Sequence, residues 1–122
     1  MWTFNQSSGE LWQNGQFKGT GYAGMGVGKN NPAMQNVRFV GPIPCGFYAI
    51  GSPTDDTFVG KYALPLTPDP ENEMFGRDSF FIHGDNPAHP GQSSDGCIVT
   101  ELPMRMEIWE SADLKLQVVA GA

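Results

Sequence analysis

The sequence predicts a mainly β fold, either a β-sandwich or a mixed sheet, with one helix near its end. The chain of 122 residues holds 16 glycines and 10 prolines, and both residue types interrupt helices and mark turns. Short stretches of alternating apolar and polar residues recur between these turns, as is typical of strands with one buried face. Only residues 101–112 carry apolar residues at helical spacing.

The first third of the chain predicts a β-meander. Residues 2–5 and 10–13 have the alternation of strands, and a Ser-Ser-Gly turn separates them. Asn14 and Gly15 then lead into a third strand, because Asn-Gly supplies the positive φ that both central residues of a tight hairpin turn need. Residues 23–36 are rich in glycine and asparagine, which predicts a surface loop near the functional site.

The rest of the chain predicts further strands and the helix. Strands are expected over residues 37–40, 47–50, 61–66 and 114–120. Residues 52–60 predict a polar turn, and the prolines at 65 and 68 are expected to stop the strand before them. In the helix, Thr100 is the expected N-cap, and Leu102, Met106 and Trp109 form the face expected to contact the core.

Length, charge and composition exclude several classes of protein. A chain of 122 residues with 39% hydrophobic residues and neither repeat nor linker predicts one domain over residues 1–122. The net charge of -6 and the scattered basic residues argue against a nucleic-acid partner. No apolar run has the length of a membrane span, and the first residues lack the pattern of a signal peptide. We therefore expect a protein that is made without a signal peptide and does not insert into a membrane.

A histidine and a cysteine stand at the two ends of one polar loop. Phe80, Phe81 and Ile82 form an apolar run that ends in His83, and a second apolar run begins directly after Cys97. These runs predict that a rigid scaffold holds both side chains within hydrogen-bond reach, as a cysteine nucleophile and its base require.

Cys97 is the predicted nucleophile and His83 the predicted general base. A nearby histidine and the start of a helix would lower the pKa of the thiol and favour the reactive thiolate. Gly96 permits a sharp turn, and the N–H groups of Gly96 and Cys97 are candidates for an oxyanion hole. His89 lies within the loop and is expected to be a bystander.

Three further side chains are candidate substrate contacts. Ser94 is expected either to donate a hydrogen bond to the substrate or to cap the turn. Asp85 is expected to bind either the loop backbone or a substrate ammonium group. Arg77 is expected either to bind a substrate carboxylate through two parallel hydrogen bonds or to form a surface ion pair.

Three other roles for the cysteines remain open. A disulfide between Cys45 and Cys97 would remove the nucleophile, although two cysteines do not make a disulfide framework. Cys45 by itself predicts a small packed thiol. A zinc site built from Cys97, Asp85 and the two histidines would have a spacing that fits no standard structural-zinc pattern.

At these residues the sequence resembles a known family. The I-H-G motif at 82–84 and the S-x-G-C-I motif at 94–98 are similar to the active-site signature of L,D-transpeptidases of the YkuD type. Residues 8–11, the turn at 41–48 and residues 77–84 extend the similarity over nearly the whole chain. The chain most resembles the shorter subgroup found as type VI secretion effectors, which are toxins that act in the periplasm of a rival bacterium.

The resemblance implies a β-rich enzyme that attacks the bond between diaminopimelate and the terminal D-alanine of a peptidoglycan tetrapeptide stem. It implies L,D-carboxypeptidase or L,D-transpeptidase activity through a thioester on Cys97, with the backbone carbonyl of Gly84 orienting His83. No metal or organic cofactor is implied. The implied partners are peptidoglycan stem peptides, a secretion-system carrier and an immunity protein.

The chain departs from housekeeping members of that family in three ways. Asp95 replaces the second histidine of the common S/T-H-G-C pattern, which makes Asp95 a candidate substrate contact, and the loop from His83 to Cys97 is shorter. Both features are similar to the effector subgroup and favour cleavage or exchange of the terminal D-alanine over cross-linking. Val99 stands where housekeeping members often carry arginine, so that substrate contact is expected either to be missing or to be supplied by Arg77.

Two other functions remain as alternatives. A cysteine peptidase or amidase could act on another bond of the same polymer, but the papain-like and NlpC/P60 groups place the cysteine before the histidine. A catalytically silent domain could instead retain the fold and bind the cell wall.

Overall fold

A computed structural model describes residues 1–121 as a mixed β-sheet with one α-helix, which confirms the predicted fold class. The strands are β1 Trp2–Asn5, β2 Glu10–Gln13, β3 Gln16–Thr20, β4 Tyr22–Ala23, β5 Gly46–Ile50, β6 Thr54–Asp56, β7 Gly60–Pro68, β8 Phe80–His83, β9 Ile98–Val99 and β10 Lys115–Val119. Helix α1 spans Leu102–Glu110, and Gly26–Gly28 and Pro32–Met34 form 3₁₀ turns. In this described part of the chain, no helix combines the length and apolar character needed to cross a bilayer.

The sheet curls so that its two ends approach each other. Its strand order is β3-β2-β1-β10-β5-β7-β8-β9-β4. Strand β6 lies outside this order and pairs with β7. The end strands β3 and β4 are separated in the chain by Gly21 alone, so both ends of the order must meet there. The pairs β1–β10 and β8–β9 are parallel, whereas the other paired strands run antiparallel.

The core is built from alternate residues of the strands. In β1, Trp2 and Phe4 are fully buried, whereas Thr3 and Asn5 are half-buried, as the period of two requires. Each large apolar side chain buried in this way stabilises the fold by roughly 1.5–3 kcal/mol. The central strands and the helix complete the core with Leu11, Tyr48, Ile50, Leu64, Ile82, Ile98, Met104, Ile108, Leu116 and Val118.

Three predicted elements in the middle of the chain differ from the structure. Residues 37–40 form a turn rather than a strand, and the expected polar turn at 52–60 contains the short strand β6. Strand β7 also continues through Pro65 to Pro68. Proline lacks an N–H and is tolerated where a strand needs no hydrogen bond from that group. Pro65 lies between Ala63, which pairs with β6, and Leu66, which pairs with β5. Its carbonyl accepts a hydrogen bond from the Gly51 N–H at 2.8 Å.

The helix is present, but it buries a different face from the predicted one. Its N-cap is Glu101 rather than Thr100, and the buried residues of α1 are Met104, Arg105 and Ile108. Leu102 and Met106 are 46% and 38% exposed, and Trp109 is only partly buried. Apolar residues occur at helical spacing on both faces, so the docking of α1 against β7 and β8 decides which face is buried.

Candidate active site

The parallel pairing of β8 with β9 determines where the histidine and the cysteine lie. Ile82 pairs with Ile98, so Cys97, which directly precedes β9, lies level with Phe81 and two residues before His83. Because side chains alternate between the two faces of a sheet, Cys97 and His83 project from the same face as diagonal neighbours. Both side chains line one cleft of about 360 Å³.

The Cys97 thiol is largely buried and is not poised as a thiolate. Only 8% of the residue is exposed, and its Sγ accepts a hydrogen bond from the Phe81 N–H at 3.3 Å. Burial raises the pKa of Cys97 to about 11, and the Asp95 carboxylate adds to this, whereas the Phe81 N–H and Arg77 act in the opposite direction. The expectation of a lowered thiol pKa is therefore wrong, because loss of hydration outweighs the favourable contacts. The thiol needs a base to remove its proton.

The tautomer of His83 is set by the backbone of the next residue. Its Nδ1 lies 2.8 Å from the Gly84 carbonyl oxygen, which is the contact implied for Gly84. A carbonyl can only accept, so Nδ1 carries the hydrogen and Nε2 keeps its lone pair. Burial lowers the pKa of His83 below its ordinary value, Arg105 adds to this, and the Gly84 contact and the carboxylates of Asp85 and Asp95 oppose it. The imidazole is therefore uncharged at pH 7, and its Nε2 lone pair can accept a proton.

Ser94 caps the turn before Cys97 and does not reach the cleft. Its side chain is fully buried, and its Oγ donates to the Cys97 carbonyl at 2.6 Å. The same oxygen accepts from the N–H groups of Gly24 at 2.9 Å and Gly96 at 3.0 Å. Of the two predicted roles, the structure thus has the cap and not the substrate contact.

The predicted oxyanion hole is correspondingly reduced. Because the Gly96 N–H donates to Ser94, the Cys97 N–H is the remaining candidate donor. Gly96 still has a local role, since its φ of +128° lies in a region that favours glycine and its carbonyl accepts from Ile43 at 2.8 Å. Gly96 therefore shapes the turn that presents Cys97.

Arg77 does not take either of its predicted roles. The residue is 5% exposed, and its Nη1 donates to the carbonyls of Gln35 and Pro42, while its Nη2 donates to those of Gly41 and Asp95. These contacts use all four N–H groups on the two terminal nitrogens. Bidentate binding of a carboxylate would need at least one of these four N–H groups. A buried Arg77 bound to main-chain carbonyls thus replaces both the expected carboxylate contact and the expected ion pair.

The loop after His83 is exposed and is organised by Asp85. This carboxylate accepts hydrogen bonds from the Tyr22 hydroxyl at 2.8 Å, the Ser93 hydroxyl at 2.7 Å, and the N–H groups of Asn86 and Gly91. Burial acts to raise the pKa of Asp85, but these hydrogen bonds outweigh it and lower the pKa. Asp85 binds the loop backbone, which is one of its two predicted roles.

The cleft beside Cys97 has walls that the sequence did not identify. Besides Asp95, which is exposed there, and the buried Arg77, its lining includes Arg38, Phe39 and Phe58. Arg38 is exposed in a turn, and Phe39 and Phe58 are 60% and 96% exposed. No local pattern links residues 38 and 58 to position 97, because only the folded chain brings them together.

A second cavity opens on the other side of His83. It has a volume of about 620 Å³ and is lined by His83, Gly84, His89 and the tip of the β6–β7 hairpin. Phe58 and Val59 of that tip border both cavities, and so do His83 and Ser93. Cys97 lines the first cavity only, whereas His83, which is 4% exposed, borders both. His89 lies in the second cavity, away from the thiol.

Both cysteines are free thiols, which rules out the disulfide alternative. Cys45 is half-buried, and its Sγ lies 3.4 Å from the Gln6 side-chain oxygen. Within residues 1–121, no group of three or more histidine, cysteine, aspartate or glutamate side chains is arranged to hold a metal ion.

Comparison with protein families decides the affiliation of the chain. A family model described as the Tlde1 domain matches residues 18–120. The chain belongs to the Tlde1 domain family. Tlde1 proteins are type VI secretion effectors with L,D-transpeptidase activity on peptidoglycan. No curated protein and no solved structure matches the chain.

The Tlde1 match supports the broader part of what the sequence resemblance implied. It covers β8, β9, α1 and the loop that joins His83 to Cys97, and it starts within β3. Membership of Tlde1 implies a transpeptidase-like enzyme, a peptidoglycan substrate, an immunity partner and action in the periplasm of a target cell.

Proposed function

We propose that this protein attacks the bond between diaminopimelate and the terminal D-alanine of tetrapeptide stems, with Cys97 as nucleophile and His83 as general base. The observation that carries the proposal is the shared cleft. Cys97 and His83 line it from adjacent parallel strands, and the Gly84 carbonyl leaves the Nε2 of His83 free to accept a proton. Family membership supports the peptidoglycan substrate.

The first half of the reaction follows from the protonation states of the two side chains. His83 Nε2 takes the proton from the Cys97 thiol as Sγ attacks the diaminopimelate carbonyl carbon, so a thiolate need not form in advance. The Cys97 N–H donates to the oxyanion that develops on the carbonyl oxygen. His83 then returns the proton to the D-alanine nitrogen, the C–N bond breaks, and D-alanine leaves a thioester on Cys97.

The second half needs an acceptor that reaches the thioester while contacting His83. The larger cavity is lined by His83 and not by Cys97, so it suits the approach of such an acceptor. His83 removes a proton from water or from the amino group of a D-amino acid as that group attacks the thioester carbonyl. The thioester bond breaks, and His83 returns the proton to Cys97. Water gives L,D-carboxypeptidase activity, and an amine gives exchange.

Arg38 is our candidate for binding the substrate carboxylate, in place of Arg77. It is exposed on the wall of the Cys97 cleft, whereas the terminal nitrogens of Arg77 are occupied by main-chain carbonyls. The terminal D-alanine of a tetrapeptide carries a carboxylate, which a guanidinium binds well. Asp95 on the same wall is a candidate contact for an amino group of the stem.

Purified muropeptides test the proposal directly. Wild type is incubated with tetrapeptide muropeptides beside Cys97→Ala and the matched control Cys45→Ala, and the stem mass and free D-alanine are measured. We expect wild type and Cys45→Ala to release D-alanine and Cys97→Ala to release none. Adding a D-amino acid distinguishes hydrolysis from exchange.

Three outcomes would contradict the proposal. Release of D-alanine by Cys97→Ala would exclude the thioester. A change of mass at another bond, dependent on Cys97, would favour the peptidase or amidase alternative. Binding of muropeptides by wild type without any change in mass would favour a silent wall-binding domain.

A further inference from the structure

Two arginines near the reacting pair have most of their surface buried. Arg77 precedes β8 and is 5% exposed, and Arg105 lies on α1 and is 6% exposed. The ion pairs found within residues 1–121 lie elsewhere, at the N-terminal amine with Asp113 and between Lys18 and Glu107. A buried guanidinium without a carboxylate loses hydration that must be replaced by other hydrogen bonds, so its presence calls for an explanation.

Arg77, which lines the Cys97 cleft, joins two segments of the chain. It donates to carbonyls in the turn at residues 35–42 and to the Asp95 carbonyl at 3.3 Å, two residues before the nucleophile. Its guanidinium carbon also lies 5.2 Å from the centre of the Phe80 ring, on the strand that carries His83. The Arg77 side chain thus links the turn before Cys97 to the turn at residues 35–42, which contains Arg38.

Arg105 has the same relation to His83. Its Nη1 donates to the Thr100 carbonyl at 2.6 Å, and its Nε donates to the Tyr62 carbonyl at 3.1 Å. The Thr100 N–H in turn donates to the His83 carbonyl at 2.9 Å. Arg105 therefore connects α1 and β7 to the backbone that carries the base.

Each guanidinium also occupies the space beside a glycine that adjoins a reacting residue. A Cβ placed on Gly84, next to His83, would lie 2.8 Å from the Arg105 Nη1. A Cβ placed on Gly96, next to Cys97, would collide with the Arg77 Nη2. Arg105 thus packs against Gly84, next to His83, and Arg77 packs against Gly96, next to Cys97.

We propose that Arg77 and Arg105 are positioning residues, which hold the backbone of Cys97 and of His83 respectively in the relative placement that proton transfer requires. This inference rests on the proposed roles of Cys97 and His83. A planar guanidinium with several fixed donors can hold segments from different parts of the chain, which lysine, with one flexible ammonium group, does less well.

The charges of the two arginines also act on the pKa values of the reacting groups. Arg77 lowers the pKa of Cys97 against the effects of burial and of Asp95. Arg105, together with burial, lowers the pKa of His83, whereas Asp85 and Asp95 raise it. Loss of the Arg105 charge should therefore let His83 keep its proton to higher pH.

The test separates geometry from charge with Arg77→Lys, Arg77→Met, Arg105→Lys and Arg105→Met, all in a Cys45→Ala background. Lys115→Met, which removes an exposed positive charge on β10, is the control. Two properties are measured across pH: the rate of Cys97 alkylation by iodoacetamide, and kcat and KM for D-alanine release. Thermal unfolding reports the folded fraction of each variant.

We expect all four arginine variants to lower kcat by about 10- to 100-fold with little change in KM, because small misplacements of reacting groups have effects of this size. Arg77→Met should also slow alkylation, and Arg105→Met should move the acid limb of kcat/KM to higher pH. The lysine variants should keep the wild-type pH behaviour, and Lys115→Met should match wild type throughout.

Folded methionine variants with wild-type kcat and alkylation would overturn the proposal, as would losses of kcat that follow the folded fraction alone. If a methionine variant does not fold, the corresponding lysine variant is used in its place. A fully folded lysine variant with wild-type kcat would then overturn the proposal. Failure of the wild type to release D-alanine would refute the proposed function instead, and alkylation of Cys97 would still test the placement by Arg77.

Discussion

Ser93 and Ser94 are neighbours in the chain, yet they belong to regions of the site that are held together differently. Ser94 is fully buried, and its hydroxyl joins three main-chain groups around Cys97. Ser93 is half-buried and donates to the exposed carboxylate of Asp85. We call the first region, formed by His83, Ser94, Gly96 and Cys97, the buried frame, and the second, residues 85–93, the exposed loop.

The difference indicates a division of labour between the two regions. In the buried frame, hydrogen bonds form away from water, so each lost partner leaves a polar group unsatisfied and displaces its neighbours. In the exposed loop, water can replace a lost partner, so changes are tolerated. We expect reactivity to depend on the buried frame and the choice of acceptor to depend on the exposed loop.

The largest effect is expected from the base in the buried frame. His83→Gln keeps a polar side chain of similar reach but cannot shuttle a proton, so kcat should fall by about 10²- to 10⁴-fold. D-alanine release measured beside His89→Gln, the histidine of the exposed loop, provides the comparison. An equal loss in His89→Gln would show that the two regions are not distinct.

The pH dependence of the wild type sharpens the same prediction. Because the folded pKa of His83 lies below its ordinary value of 6.5, more than half of the imidazole is uncharged at pH 6.5. The midpoint of the acid limb of activity should therefore lie below pH 6.5. A profile of kcat/KM against pH checks this, and a midpoint above 6.5 would contradict the lowered pKa.

The two serines provide the next test. Ser94→Ala leaves the Gly24 and Gly96 N–H groups without their acceptor in the interior, so the free energy of unfolding should fall by about 1–3 kcal/mol. Ser93→Ala should change it by less than about 0.5 kcal/mol, because water can serve Asp85. Denaturant unfolding of both variants measures the difference, and equal losses would remove the distinction.

A smaller effect is expected on the wall of the cleft. Arg38→Gln should raise KM for a tetrapeptide by about tenfold with kcat unchanged, because a charge-assisted hydrogen bond to the substrate carboxylate is lost. The control is a stem whose terminal carboxylate is amidated. Wild type and Arg38→Gln should have equal KM for that stem, and a persistent difference would exclude this role for Arg38.

The smallest effect is expected in the exposed loop. Asp85→Asn should change kcat by less than about fivefold, because exposed charged contacts are weak. The folded pKa of Asp85 is lowered, so its contribution to stability is present above the ordinary value of 3.8 and is lost as the pH falls through the folded pKa. Melting temperatures of wild type and Asp85→Asn should thus differ at neutral pH and converge well below pH 3.8.

Local patterns were sufficient for the elements that depend on local geometry. The strands at 2–5 and 10–13 and the Asn14-Gly15 turn have the predicted bounds, because alternation and positive φ are properties of neighbouring residues. The strand through Pro65 and the buried face of α1 were missed, because both depend on which strands lie alongside. A pattern within one segment does not contain that information.

In the site, the sequence alone singled out the two candidate reacting residues, since a histidine and a cysteine bordered by apolar runs are recognisable without a structure. Tertiary structure decided what surrounds them. Burial raised the pKa of Cys97 instead of lowering it, Ser94 and Arg77 were bound to the main chain, and Arg38 entered the cleft from a distant turn. Hydration and hydrogen-bond partners are set by residues far apart in the chain, so these properties arise only when the chain folds.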